Sequence, residues 1–201
     1  MHIGIDFDNT IVSYDALFHK VAREWGLINE HIPVNKLAVR DSLRASGREE
    51  LWTEMQGHVY GARMDEAVTY PGAIEFIRRA VDAGHTVSIV SHKTQRPFLG
   101  QPHDLHAAAQ GWINHHLLPH LTAPVGRFAA YFELTKEAKL LRIGDCGCEA
   151  FIDDLPEILL AQAFPPTAAG LLFDPESHHA ASGGLQRFTS WQQIAAFFAL
   201  P

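Results

Sequence analysis

Two aspartates separated by one residue, Asp6 and Asp8, end a short apolar run, Ile3-Gly4-Ile5, and are followed by Asn9 and Thr10. A second pair, Asp153-Asp154, ends another such run, Ala150-Phe151-Ile152. A third run, Thr86 to Val90, stops at Ser91, and Lys136 opens the helical pattern that follows a fourth, Phe128 to Phe132. Ligands of an open parallel sheet bind beyond the carboxyl ends of its strands. If these runs are parallel neighbours, four carboxylates, a hydroxyl and an ammonium converge on one edge. Such carboxylates cannot all stay ionised unless something positive binds among them. Hard oxygen ligands beside one lysine suit Mg²⁺, which keeps several waters and shares its remaining positions with a substrate phosphate. Side chains alternate along an extended segment, so Asp6 and Asp8 point to the same side. One can attack as a nucleophile while the other shuttles a proton to the leaving group. Lys136 and the Ser91 hydroxyl would stabilise charge on the transferring phosphoryl group. The chemistry implied is phosphoryl transfer through an aspartyl-phosphate.

Apolar runs alternating with helical patterns predict a parallel α/β sheet. Phe18, Val21, Ala22 and Trp25 follow helical spacing closed by Gly26, and a further helix covers about residues 35–45. Ser46 with Glu49 reads as a capping box opening a helix that carries Leu51, Trp52, Met55 and Val59. No strand stands out between Ile11 and Tyr70, which makes this stretch a helical insertion. After Tyr70-Pro71-Gly72 the alternation resumes, with Ala73, Ile74, Ile77, Ala80 and Val81 on one helix face. Lys93 to His103 is a Pro- and Gly-containing loop, Asp104 an N-cap, Thr135 the cap of the helix bearing Lys136, and Asp154 a cap ahead of Pro156. Ala169 to Phe173 is a fifth strand, and Ser190 with Gln193 opens the last helix.

The 201 residues carry 16 Lys and Arg against 23 Asp and Glu, a net charge of −7, with 47% hydrophobic residues. That composition supports a buried core and excludes disorder. The acidic balance argues against nucleic acid or an anionic membrane as the main partner. No apolar run approaches the roughly 20 residues of a membrane span, and Asp6 and Asp8 stand where a signal peptide would be basic and then apolar. Two nearby cysteines, Cys146 and Cys148, make no disulfide framework. A cytoplasmic location is expected.

The series Asp6-x-Asp8-x-Thr10, strand then Ser91, Lys136 at a helix start, and Phe151-Ile152-Asp153-Asp154 resembles the four motifs of the haloacid dehalogenase (HAD) superfamily in order and spacing. The resemblance covers the whole chain. It implies a Rossmann-like α/β core of residues 1–12 and 70–201, with a small all-helical cap of the C1 type at residues 13–69 closing over the site. It further implies Asp6 as nucleophile and Asp8 as general acid/base, with the Asp8 carbonyl on Mg²⁺. Asp153 would be a metal ligand, and Asp154 a further one, direct or through water. Thr10 and Ser91 would contact the phosphoryl group, and Lys136 would hold both that group and the nucleophile. Lys93 and Lys139 are alternatives for this lysine. Family members that remove halogens resemble the phosphatases but lack the second acid, so Asp8 argues against dehalogenation.

His92 departs from the small polar residue frequent after the motif serine and, with His103 and His106, is a candidate substrate contact. His115, His116, His120, His178 and His179 read as surface residues, and Arg40, Arg44, Arg48 and Arg63 as a solvated face. The expected activity is Mg²⁺-dependent hydrolysis of a small soluble phosphomonoester. A 5′-nucleotidase, suggested by cap size and the helix of Trp191, and a non-catalytic scaffold with this fold are the alternatives.

Overall fold

The computed structural model describes residues 1–122, 126–179 and 183–200. Its strands are β1 (His2–Ile5), β2 (Val12–Ser13), β3 (Val68–Thr69), β4 (Thr86–His92), β5 (Phe128–Glu133), β6 (Ala150–Asp153), β7 (Ala169–Phe173) and β8 (Gln186–Phe188). Its α-helices are α1 (Asp15–Glu24), α2 (Lys36–Ala45), α3 (Glu49–Tyr60), α4 (Ala73–Asp82), α5 (Leu105–Trp112), α6 (Lys136–Asp145), α7 (Pro156–Leu159) and α8 (Trp191–Phe197). Short 3₁₀ turns at Met64–Glu66 and Leu118–His120 and a π turn at Ile113–Leu117 complete the helical segments.

The chain divides into two units. The first comprises residues 1–12, 69–93 and 116–201; the second comprises 13–68 and 94–115. The first is built on a six-stranded sheet in the order β5-β4-β1-β6-β7-β8, every pairing parallel. Ile5 of β1 lies opposite Ile89 of β4 and Ile152 of β6, so Asp6 and Asp153 leave the sheet side by side. The central strands are buried on both faces, as parallel strands between helices must be. On one face α6 and α7 set Leu140, Ile143, Ile158 and Leu159 against Val90, Phe151 and Leu172. Phe173 follows Leu172 in β7 and therefore faces the other side. There it meets Trp191 of α8 at 5.5 Å between ring centroids, and Trp191 meets Phe76 of α4 at 5.1 Å.

Helices begin where side chains can satisfy free backbone N–H groups. Thr135, Asp104 and Ser190 accept from Ala138, Ala107 and Gln193 at 3.1, 2.9 and 3.3 Å. Ser46 is a correction to the sequence reading. It closes α2, its hydroxyl donating to the carbonyls of Ser42 and Leu43, and Arg48 precedes α3 with no side-chain cap.

The second unit packs α1, α2 and α3 through Phe18, Val21, Val39, Leu43, Trp52 and Met55, all buried. It is larger than the insertion expected at residues 13–69, because the loop after β4 and α5 join it. Trp112 donates its indole N–H to the Ala67 carbonyl at 2.8 Å. Two glycines of this unit admit the loop. A Cβ on Gly57 would stand 2.6 Å from Pro97 Cβ, and one on Gly61 would stand 2.5 Å from His103 Cβ. Only glycine lets backbone and loop approach so closely.

Candidate active site

β1 delivers Asp6 to the carboxyl edge of the sheet, where its N–H continues the ladder by donating to the Ile152 carbonyl at 2.8 Å. The chain then turns. Asn9 takes a left-handed conformation, φ 59°, and the Ile11 and Val12 N–H groups both donate to the Phe7 carbonyl at 3.1 Å. Asparagine tolerates this region better than most residues. The turn buries Thr10, whose carbonyl accepts from the Trp191 indole at 3.2 Å and whose hydroxyl donates to Asp154 Oδ1 at 3.4 Å. The Thr10 hydroxyl, expected from the sequence to contact a phosphoryl group, is here bonded to Asp154. Trp191, named there with a nucleotidase, is buried beneath this turn.

The lysine at the centre of the site is Lys139, a correction to the assignment of Lys136. Its ammonium lies 2.6 Å from Asp6 Oδ1 and 2.5 Å from Asp153 Oδ2. Lys136, exposed at the first position of α6, pairs with Glu157. Cα–Cβ bonds in a helix tilt toward its N-terminus. A lysine one turn inside α6 thus reaches back to the strand ends, whereas one at the first position overshoots them.

Asp6, Asp153 and Asp154 each offer an oxygen, all within 4.8 Å of one another. Three carboxylates with one ammonium leave an excess of negative charge that a hard divalent cation matches, so this donor set fits Mg²⁺. Asp153 is oriented through its other oxygen, which accepts from Leu155 N–H at 2.9 Å. The N-cap of α7 is Leu155, with no side-chain cap, and not Asp154 as the sequence suggests; Asp153 accepts from the N–H of that N-cap residue. Burial raises the Asp6 carboxyl to about 7; Lys139 opposes the rise, and Asp153 and Asp8 add to it. Burial pulls the Lys139 ammonium down, but Asp6 and Asp153 more than offset this and hold it above its ordinary value.

The Asp8 carboxylate is not part of the acidic triad. It faces Lys93, whose Nζ lies 3.0 Å from Oδ1 and 2.8 Å from Oδ2. Ser91, at the end of β4, is buried, and its hydroxyl has no hydrogen-bond partner among the described residues. A buried unpaired hydroxyl costs about 1–3 kcal/mol, which singles out Ser91 at this edge of the sheet. His92 beside it is exposed, while His103 and His106 lie in the second unit. In that unit Arg40, Arg44 and Arg63 pair with Asp41, Glu49 and the Glu24–Glu66 pair, and His115 pairs with Asp65.

No protein-family model matches the chain, and no curated protein matches it in sequence. Solved structures do match in shape. A haloacid dehalogenase-like family hydrolase from Streptococcus pneumoniae superposes with a TM-score of 0.65 at 13% identity, over 98% of this chain and 97% of that one. The chain has the HAD-type fold. A predicted phosphatase from Clostridium acetobutylicum gives 0.63 at 12% identity, over 98% and 97% of the two chains. Bacillus subtilis YfnB, described as a HAD-hydrolase and bound to magnesium, gives 0.57 at 10%, again over 98% and 97%. Dehalogenase structures share the fold as well, so this HAD-type fold leaves the reaction to be argued from residues. Among the described residues no helix is long and apolar enough to cross a membrane.

Proposed function

We propose that the first unit is a Mg²⁺-dependent phosphohydrolase acting on a small phosphomonoester through an aspartyl-phosphate on Asp6. The observation that carries this reading is the buried Asp6 carboxylate, held by Lys139 within a triad of acids that fits a dication. Asp8 favours phosphate over halide, because a phosphate ester needs a second group to protonate its leaving oxygen.

In the first step an Asp6 oxygen attacks phosphorus, the bond from phosphorus to the leaving oxygen breaks, and Asp8 gives that oxygen a proton. In the second, Asp8 takes a proton from water, the water oxygen attacks phosphorus, and the bond to Asp6 breaks to release phosphate. Lys139 keeps Asp6 in place between the two steps. The unpaired Ser91 hydroxyl donates to a phosphoryl oxygen. Asp6, Asp153 and Asp154, with the Asp8 carbonyl, would hold Mg²⁺, which supplies positive charge to the phosphoryl oxygens. A small phosphorylated metabolite is the partner this chemistry requires.

Asp6→Asn is the direct test. Phosphate release from a panel of sugar, alcohol and nucleotide monophosphates is expected only with Mg²⁺ and only with Asp6 intact. Wild-type turnover by the Asn variant would sink the mechanism.

A further inference from the structure

The site contains two buried lysines, and the proposed chemistry has used only one. The Lys93 side chain is 4% exposed. Its backbone is anchored, since its N–H donates to the Glu133 carbonyl at 2.9 Å and carries the β4–β5 ladder one residue past β4. Its ammonium stands over the Phe7 ring at 6.0 Å, and Phe7 is wedged edge-on against Phe132 at 5.8 Å between centroids. Burying an ammonium costs several kcal/mol unless a partner compensates. Here the compensation includes both oxygens of Asp8.

Asp8 needs such a restraint more than Asp6 does. Asp6 is enclosed and gripped by Lys139, whereas the Asp8 side chain is 20% exposed on a tight turn. We propose that Lys93 is a positioning residue for proton transfer. It holds the Asp8 carboxylate by both oxygens, so that the proton passes to the leaving oxygen, and later from water, along one fixed direction. Lys93 contributes only hydrogen bonds to Asp8. Lys139 then holds the nucleophile, together with Asp153, and Lys93 the acid/base. This rests on the phosphohydrolase reading.

Proton donation matters most for a poor leaving group. The test compares kcat/KM for an alkyl phosphate and for p-nitrophenyl phosphate, whose leaving group departs without a proton, because kcat/KM reports the first step alone. Well-placed general acid catalysis contributes about 10²–10⁴-fold. Lys93→Met is expected to lower kcat/KM about 10–100-fold for the alkyl ester and under about threefold for the aryl ester. Lys93→Arg should restore part of the loss. In an Asp8→Asn background, Lys93→Met should cost nothing further, since it acts only through Asp8. That double variant strands no buried charge and serves if Lys93→Met alone does not fold. Equal slowing of both esters, or an additional loss in the Asp8→Asn background, would overturn the proposal. Failure of the wild-type protein to hydrolyse either ester sinks the phosphohydrolase reading and this inference with it. Turnover with an unchanged alkyl-to-aryl ratio sinks the inference alone.

Discussion

Lys139 touches the Asp6 carboxylate at 2.6 Å from a position one turn inside α6, with its second carboxylate, Asp153, at 2.5 Å. Both acids are almost wholly buried, so the ammonium is what lets them lie side by side in the metal-free protein. Removing one member of a buried ionic cluster strands the others, at about 3–5 kcal/mol. Lys139→Met is therefore expected to lower stability by about that amount in EDTA. Mg²⁺ should raise the variant's unfolding free energy more than that of wild type, because the cation takes over the missing charge. Lys136→Ala, altering an exposed ion pair, should stay within about 0.5 kcal/mol of wild type. Urea denaturation with and without Mg²⁺ measures all three.

The raised Asp6 carboxyl gives a pH dependence of definite sign. Its folded value, about 7, exceeds the ordinary 3.8 that it returns to on unfolding. Between those values the folded state binds the extra proton, so metal-free stability should fall as pH rises from about 4 to about 7. Mg²⁺ needs the ionised carboxylate and must displace that proton. Its apparent affinity should rise about tenfold per pH unit below about 7 and level off above. Calorimetric titration at pH 5.5, 6.5 and 7.5 measures the affinity. A flat profile, or an unaltered stability slope in Asp6→Asn, would refute the assignment.

The edge of the sheet was legible because each apolar run stops abruptly at a polar residue: Ile5 at Asp6, Val90 at Ser91, Ile152 at Asp153. The lysine was not. Lys136, Leu140 and Ile143 share one helix face, so periodicity places Lys136 inward as readily as Lys139. What separates them is depth along α6 relative to the strand ends, which depends on tertiary packing. The sixth strand, β8, is three residues long with two exposed, and so carries no apolar run. The apolar stripe of α5, Leu105, Ala109 and Trp112, would look the same packed on a sheet or on α3. The loop's close approach to Gly57 and Gly61, with the Trp112 indole bonded to the Ala67 carbonyl, assigns it to the helical unit.

The turn that carries Asp6 and Asp8 is tied from below. Trp191 donates to the Thr10 carbonyl at 3.2 Å, and the Thr10 hydroxyl donates to Asp154 at 3.4 Å. Trp191→Phe stays aromatic but removes the indole N–H from the buried Thr10 carbonyl and part of a buried ring, a loss of at least about 1–3 kcal/mol. Thr10→Val keeps the shape and removes the donor from Asp154. Losing the group that orients a metal ligand typically weakens binding about 10–100-fold. Thr10→Val should thus show weaker Mg²⁺ affinity with a small change in melting temperature, while Trp191→Phe shows the reverse emphasis. Equal effects of both variants on both readouts would dissolve the distinction.

Glycines in the helical unit offer an internal control for the loop contact. A methyl group at Gly57 would meet Pro97 Cβ at 2.6 Å and the Leu99 carbonyl at 3.0 Å, and the backbone oxygen cannot rotate away. Gly57→Ala is therefore expected to cost about 1–3 kcal/mol, the usual range for overpacking. Gly111 also lies in a helix, α5, but a methyl group there would meet nothing within 4 Å. Gly111→Ala should stabilise by about 0.5–1 kcal/mol through helix propensity alone. If both substitutions stabilise the protein, the loop does not rest on α3. Opposite signs in thermal melts would show that the loop's closeness, and not a general dislike of alanine, decides the outcome.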